Sequence, residues 1–159
     1  HLHLPAAMQI GILTIVPLLC LPVFTPLWAR LFDAGHVIEF RARQCWSLVA
    51  AMAVMIVAVF TQQHWLLWVA AVLWGVSTAG ASLGWNLGHN DFASLGRVQH
   101  YMGVNVTLTG MRGLVAPPLG VLAYSWLERR SPGAGRYALL LPMMMTIAGA
   151  IGFNRMRSK

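Results

Sequence analysis

Five long apolar runs divide the chain, at residues 6–31, 44–61, 65–87, 101–126 and 137–153, and polar residues collect between them. A helix needs about 20 mostly apolar residues to cross the roughly 30 Å hydrocarbon core of a bilayer, and each run meets or approaches that length. None alternates with the period of two that a half-buried strand requires, and open sheet edges are excluded from lipid. The pattern predicts an all-α membrane protein built as a bundle of five transmembrane helices. The connections are short. Gln62-Gln63-His64 leaves room only for a tight turn, so the second and third helices should form an antiparallel hairpin. Ser131-Pro132-Gly133-Ala134-Gly135 is a strong breaker between the fourth and fifth. No stretch reads as a separate soluble domain.

Composition agrees. Hydrophobic residues make up 58% of the chain and charged residues 9%, where a soluble domain carries about 25% charge. Eleven bases against four acids give a net charge of +7. The bases lie in the breaks between apolar runs and gather on no face or tail. That argues against a nucleic-acid partner and fits the excess of Lys and Arg on the cytoplasmic side of membrane proteins. With five spans, Arg30, Arg41, Arg43, Arg97, Arg155, Arg157 and Lys159 share one side, and Arg129, Arg130 and Arg136 share the other. The expectation is a multi-pass protein of the bacterial inner membrane with its C-terminus in the cytoplasm. The chain opens His1-Leu2-His3-Leu4, and no basic stretch precedes the first apolar run. A signal peptide is therefore not expected, and the chain reads as a piece of a longer protein. Cys20 and Cys45 match no metal or redox spacing and are expected to be small buried thiols.

Helices in lipid associate through small residues that let backbones approach. The third run carries Gly80, Gly84 and Gly88 at four-residue spacing, with Gly75 and Ala79 beside them, a stripe for close helix contact. The second and fifth runs are almost wholly apolar and could face lipid all round. The third and fourth hold Ser77, Thr78, Ser82 and Asn86, then Asn105, Thr107, Thr109 and Arg112. Those groups need protein, water or a ligand beside them.

Arg112 is the most informative residue. It is expected near the middle of the fourth span, where a charge costs about 2.5–3.5 kcal/mol on insertion scales. At about 100° per residue, Tyr101, Asn105, Thr109 and Arg112 share a stripe about 80° wide. All four acids of the chain fall in loops or at helix ends, so Arg112 has no evident intramembrane carboxylate. Three roles stay open: a place in a substrate path, a brace between halves of a larger protein, or a local bond to backbone carbonyls. Pro117 and Pro118 would free the carbonyls of Gly113 and Leu114 for that last role. Trp74 and Asn86 are further candidates; Trp74 would either stack on a substrate or pack in the core. Trp65, Trp85 and Trp126 suit interfacial anchors. His89-Asn90-Asp91 lacks the second pair of ligands a metal site needs and is read as a solvated loop. No intramembrane His, Asp or Glu pairs with a nucleophile, so an enzyme is not expected.

The run Tyr-Met-Gly-Val-Asn-Val-Thr-Leu-Thr-Gly-Met-Arg-Gly-Leu-Val-Ala-Pro-Pro-Leu-Gly at residues 101–120 resembles the eleventh helix of major facilitator superfamily transporters. Gly84-Trp85-Asn86-Leu87 would then close the tenth. Pro26-Leu27-Trp28-Ala29-Arg30-Leu31-Phe32-Asp33-Ala34-Gly35 resembles the family's signature loop between the eighth and ninth helices. It carries Ala29 where the family usually has Gly, Ala34 where a base follows the Asp, and one residue fewer between Asp33 and Gly35. The resemblance implies that the five spans are helices eight to twelve of a six-helix C-terminal half. It implies peripheral ninth and twelfth helices, a tenth lining the cavity, and an eleventh at the interface between halves. Arg30, Asp33 and Gly35 would belong to the gating loop, with Asp33 facing a helix N-terminus of the missing N-terminal half. The implied function is transport of a small solute by alternating access, with no cofactor. A small multipass scaffold or assembly protein without a substrate path is the other reading; a channel or another permease fold is a third.

Overall fold

The computed structural model describes residues 5–88, 92 and 98–157. His89, Asn90, Asp91, Arg97 and Lys159 lie outside the described residues. Five helices are long and apolar enough to cross a membrane: α1 (Ala6–Asp33), α2 (Val37–Thr61), α3 (His64–Asn86), α4 (Val98–Arg130) and α5 (Ala134–Arg157). No strand occurs among the described residues. Large apolar side chains such as Leu13, Leu19, Val104, Leu114 and Met145 stand exposed along the helices. This is the make-up of an integral multi-pass membrane protein.

Local sequence explains where the helices bend, start and stop. A wide π turn at Gly11–Ile15 interrupts α1, where Pro17 has no N–H to give the carbonyl of Leu13. The α2 helix starts seven residues before its apolar run. His36 caps it, its Nδ1 accepting from the Ile38 amide at 3.2 Å, and Glu39 sits in the favourable first turn. Arg41 and Arg43, expected in a connecting loop, are therefore helical. Gln62 ends α2 in the left-handed region at φ 57°, and its side chain donates to the carbonyl of Val59 at 2.7 Å. The breaker after α4 turns at Gly133, φ 85°. Pro142 has no N–H for the carbonyl of Ala138, and the start of α5, Ala134–Leu139, takes the tighter 3-10 form.

Helix α3 lies between α1 and α2, and α2 packs on its other side against α5. The glycine stripe makes this possible. A methyl group on Gly75 would meet Cys20 Cβ at 2.6 Å and Pro17 Cα at 2.9 Å; one on Gly80 would meet the Trp28 ring at 2.9 Å. Gly88 faces Val37 across the same seam. Trp28 Nε1 donates to the carbonyl of Val76 at 2.8 Å, and Phe40 meets the rings of Trp28 and Phe32 edge-on. The expected close approach is present, and Cys20 is buried in it.

Two helices trade the places their composition suggested. The second, apolar enough to face lipid all round, is central and buries Phe40, Ala42, Gln44, Ala51 and Ala58. The polar α4 buries no residue. Its main contact is with the 3-10 turn opening α5. There Glu128 accepts from the amides of Gly133 and Gly135, both at 2.9 Å. Elsewhere it reaches the bundle through a few side chains.

Candidate functional site

Those few side chains converge on Trp85, the second-last residue of α3. From α4, Asn105 Nδ2 donates to the Trp85 carbonyl at 3.2 Å. One heptad later and on the same face, the Arg112 guanidinium lies over the Trp85 ring, 4.8 Å from its centroid. From α2, the Arg41 guanidinium lies 5.1 Å from the same centroid. Gly84 clears the space for it, since a Cβ there would stand 3.0 Å from Arg41 Nε. Arg41 Nη1 donates to Gln44 Oε1 at 3.3 Å. Gln44 in turn donates to the Ser77 hydroxyl at 3.2 Å and the Ser77 carbonyl at 3.3 Å. Both Gln44 and Ser77 are buried. This is a satisfied polar chain from the interior of the α2–α3 seam to the indole.

Two guanidinium groups thus share one ring. Among the described residues neither is ion-paired. Glu39 is engaged by Arg43 at 2.8 Å and Arg157 at 3.4 Å, and Glu128 holds the α4–α5 turn. Through this contact the Arg112 guanidinium reaches the level of the end of α3 and the beginning of α2. Side chains on a helix lean toward its N-terminus, which carries the head that way. Arg112 is exposed and Trp85 half-buried, so the cation–π contact contributes about 0.5–1 kcal/mol. Repulsion between the two cations works against it.

Two cavities lie beneath α4, one lined by Trp85 and the other by Arg112. One, of about 500 Å³, is lined by Arg41, Trp85, His100, Tyr101 and Asn105 among apolar residues. The other, of about 790 Å³, begins at Arg112 and runs along α4 to Tyr124, walled by Val115, Leu119, Leu139 and Met145 and closed by Gln62 and Arg136. Arg136 rests over Phe60 and Tyr137.

No family profile, curated protein or solved structure matches the chain. Its own geometry carries the reading.

The sequence candidates separate accordingly. Arg112 and Asn105 meet at Trp85, and Tyr101 lines the cavity that Trp85 and Asn105 share. Thr109 spends its hydroxyl within the helix, donating to the Asn105 carbonyl at 2.8 Å. Trp74 lines a different, apolar cavity with Met52, Met55 and Pro142. Asn86, the last residue of α3, is exposed and lines neither cavity at Trp85. Arg30 lies in the last turn of α1, Asp33 closes it, and Gly35 donates its amide to the Phe32 carbonyl at 3.5 Å. The turn they form leads straight into α2. Arg41 and Gln44 were missing from the sequence candidates. The cap at His36 and the four-residue spacing of Glu39 and Arg43, a helical ion pair, are the signals that would have placed Arg41 in the same helix as Gln44.

Proposed function

We propose that the chain is part of a secondary transporter of the major facilitator type and moves a small solute by alternating access. Its helices would be the eighth to twelfth, in a bacterial inner membrane, with the C-terminus in the cytoplasm and a second half of the transporter completing the path. One observation carries this reading. Arg112 lies over the Trp85 ring and lines the larger cavity beneath α4. A charge aimed at a cavity serves a solute or a partner half; a scaffold has no use for it. The loose seating of α4, anchored at its end by the turn to α5, suits an element that shifts as the path opens to each side in turn.

The test is Arg112→Ala in the complete protein, with uptake and efflux of a panel of charged and neutral solutes followed in membrane vesicles. Transport is lost while the amount of protein in the membrane is unchanged. Solute movement equal to that of the parent protein would take Arg112 out of the path.

A further inference from the structure

Resting on that transport reading, we propose that Arg41, Trp85 and Arg112 form the head-group site for an anion carrying an apolar body. The anionic group, a carboxylate or phosphate ester, sits at Trp85, and the body extends into the apolar cavity along α4.

The chemistry of the two cavities divides this way. At the Trp85 end, the side chains able to hydrogen-bond, Arg41, His100, Tyr101 and Asn105, are all donors or can act as donors, and no carboxylate lines the wall. Two guanidinium groups within about 5 Å of one ring centroid repel each other, and an anion between or beside them relieves that repulsion as no neutral molecule would. Arg41 is held for this task. Gly84 fixes where its stem runs, and Gln44, itself anchored on Ser77, fixes one of its nitrogens. Beyond Arg112 the surroundings change abruptly to Val115, Ala116, Leu119 and Met145. A cavity of about 790 Å³ is in the range that accepts a drug-sized molecule. Arg112 stands at one end of this apolar space and touches Trp85, which lines the neighbouring cavity with Arg41, an arrangement suited to an amphiphilic ligand.

The probe is radiolabelled naphthalene-1-carboxylate, bound to the full chain in nanodiscs of zwitterionic phosphatidylcholine. Its competitors are naphthalene-1-carboxamide, 1-naphthylmethylammonium and acetate. The carboxylate binds at least about tenfold more tightly than the carboxamide, the effect of one charged hydrogen bond. The ammonium and acetate compete poorly, the first for lack of negative charge and the second for lack of a body. Arg41→Ala and Arg112→Ala each lower carboxylate affinity by about tenfold or more and leave carboxamide affinity nearly unchanged. Arg112→Glu reverses the preference toward the ammonium, a gain of binding that misfolding would not produce. Equal binding of carboxylate and carboxamide, or a ratio untouched by both arginine variants, overturns the site.

Adding phosphatidylglycerol to the nanodisc tells the two sources of such an anion apart. Displacement of the probe makes the occupant a lipid headgroup, and retention makes it a soluble organic acid; either outcome supports the site. Binding of the anion by the chain with no transport by the complete protein in vesicles would remove the transporter reading and leave the site standing. Transport confined to cations or neutral solutes would do the reverse.

Discussion

Gly84 and Arg41 belong to different helices and divide one space between them: a side chain at 84 would stand 3.0 Å from Arg41 Nε and 3.1 Å from its Cζ. The glycine is therefore a seat for a charge as well as a contact for a helix. Gly84→Ala displaces the end of a flexible side chain, which yields easily, so the helix pair should survive. The expected result is a melting temperature close to that of the parent and a several-fold loss of anion affinity. Thermal unfolding and ligand binding on the same preparation check it. A large fall in stability with unchanged binding would mean that the glycine serves packing alone.

Gly75 presents the opposite case. A methyl group there would meet the backbone at Pro17 Cα, 2.9 Å away, and Cys20 Cβ at 2.6 Å. Neither can swing aside, because Pro17 and Cys20 are fixed in α1. Gly75→Ala should destabilise the chain by about 1–3 kcal/mol, the usual cost of overfilling a close-packed site. Gly149, on α5 with open space around its Cα, is the control and should accept Ala without loss. Thermal unfolding of both variants in detergent decides between them.

Gln44 links the interior of the α2–α3 seam to the arginine at its mouth. Gln44→Leu keeps the volume and removes both bonds to Ser77 and the acceptor for Arg41 Nη1. Hydrogen bonds between membrane helices contribute about 0.6 kcal/mol and up to about 1.7, so a modest loss of stability is expected. Combining it with Ser77→Ala should give a total smaller than the sum of the two single effects, since they share a bond. Strict additivity would show that Gln44 and Ser77 do not interact.

The five spans were readable because a bilayer imposes length and apolarity on any helix that crosses it, and the turns at Gln62 and Gly133 because both adopt positive φ after an apolar run. The start of α2 was not. Its first turns hold Glu39, Arg41 and Arg43, which hydropathy counts as loop even though the His36 cap and the Glu39–Arg43 pair make them helical. That misreading concealed half of the candidate site. Arg112 and Asn105 were visible as polar residues in an apolar run, while Arg41 was counted among the loop bases. Trp74 was grouped with them because composition cannot say which face of α3 looks toward α4. The outlying position of α4 was equally hidden. Its polar residues suggested a packed helix, yet Gly103, Gly110 and Gly113 stand in open space.

The turn between α4 and α5 offers a test of that outlying position. Both oxygens of Glu128 are committed to backbone amides, Gly133 and Gly135, and the turn they shape is the principal attachment of α4. In Glu128→Ala those amides lose their acceptors. Hydrogen exchange at residues 131–139 should accelerate, with the interior of α2 and α3 unaffected. Uniform acceleration through all five helices would mean that α4 is integral to the stability of the bundle.

Orientation can be tested from an ion pair. Glu39 at the start of α2 bonds Arg157 at the end of α5 at 3.4 Å, so the basic C-terminal segment and the Arg41–Arg43 turn lie at one end of the bundle. Arg129, Arg130 and Arg136 lie at the other, across the helix pair that Gln62 connects. Bases favour the cytoplasmic face, and the first set is the larger. A green fluorescent protein fused after Lys159 should therefore fluoresce, and alkaline phosphatase inserted after Ser131 should be active outside the cell membrane. The reverse pair of signals would invert the bundle. The anion site at Trp85 would then face the exterior, and its ligand would be sought among solutes outside the cell.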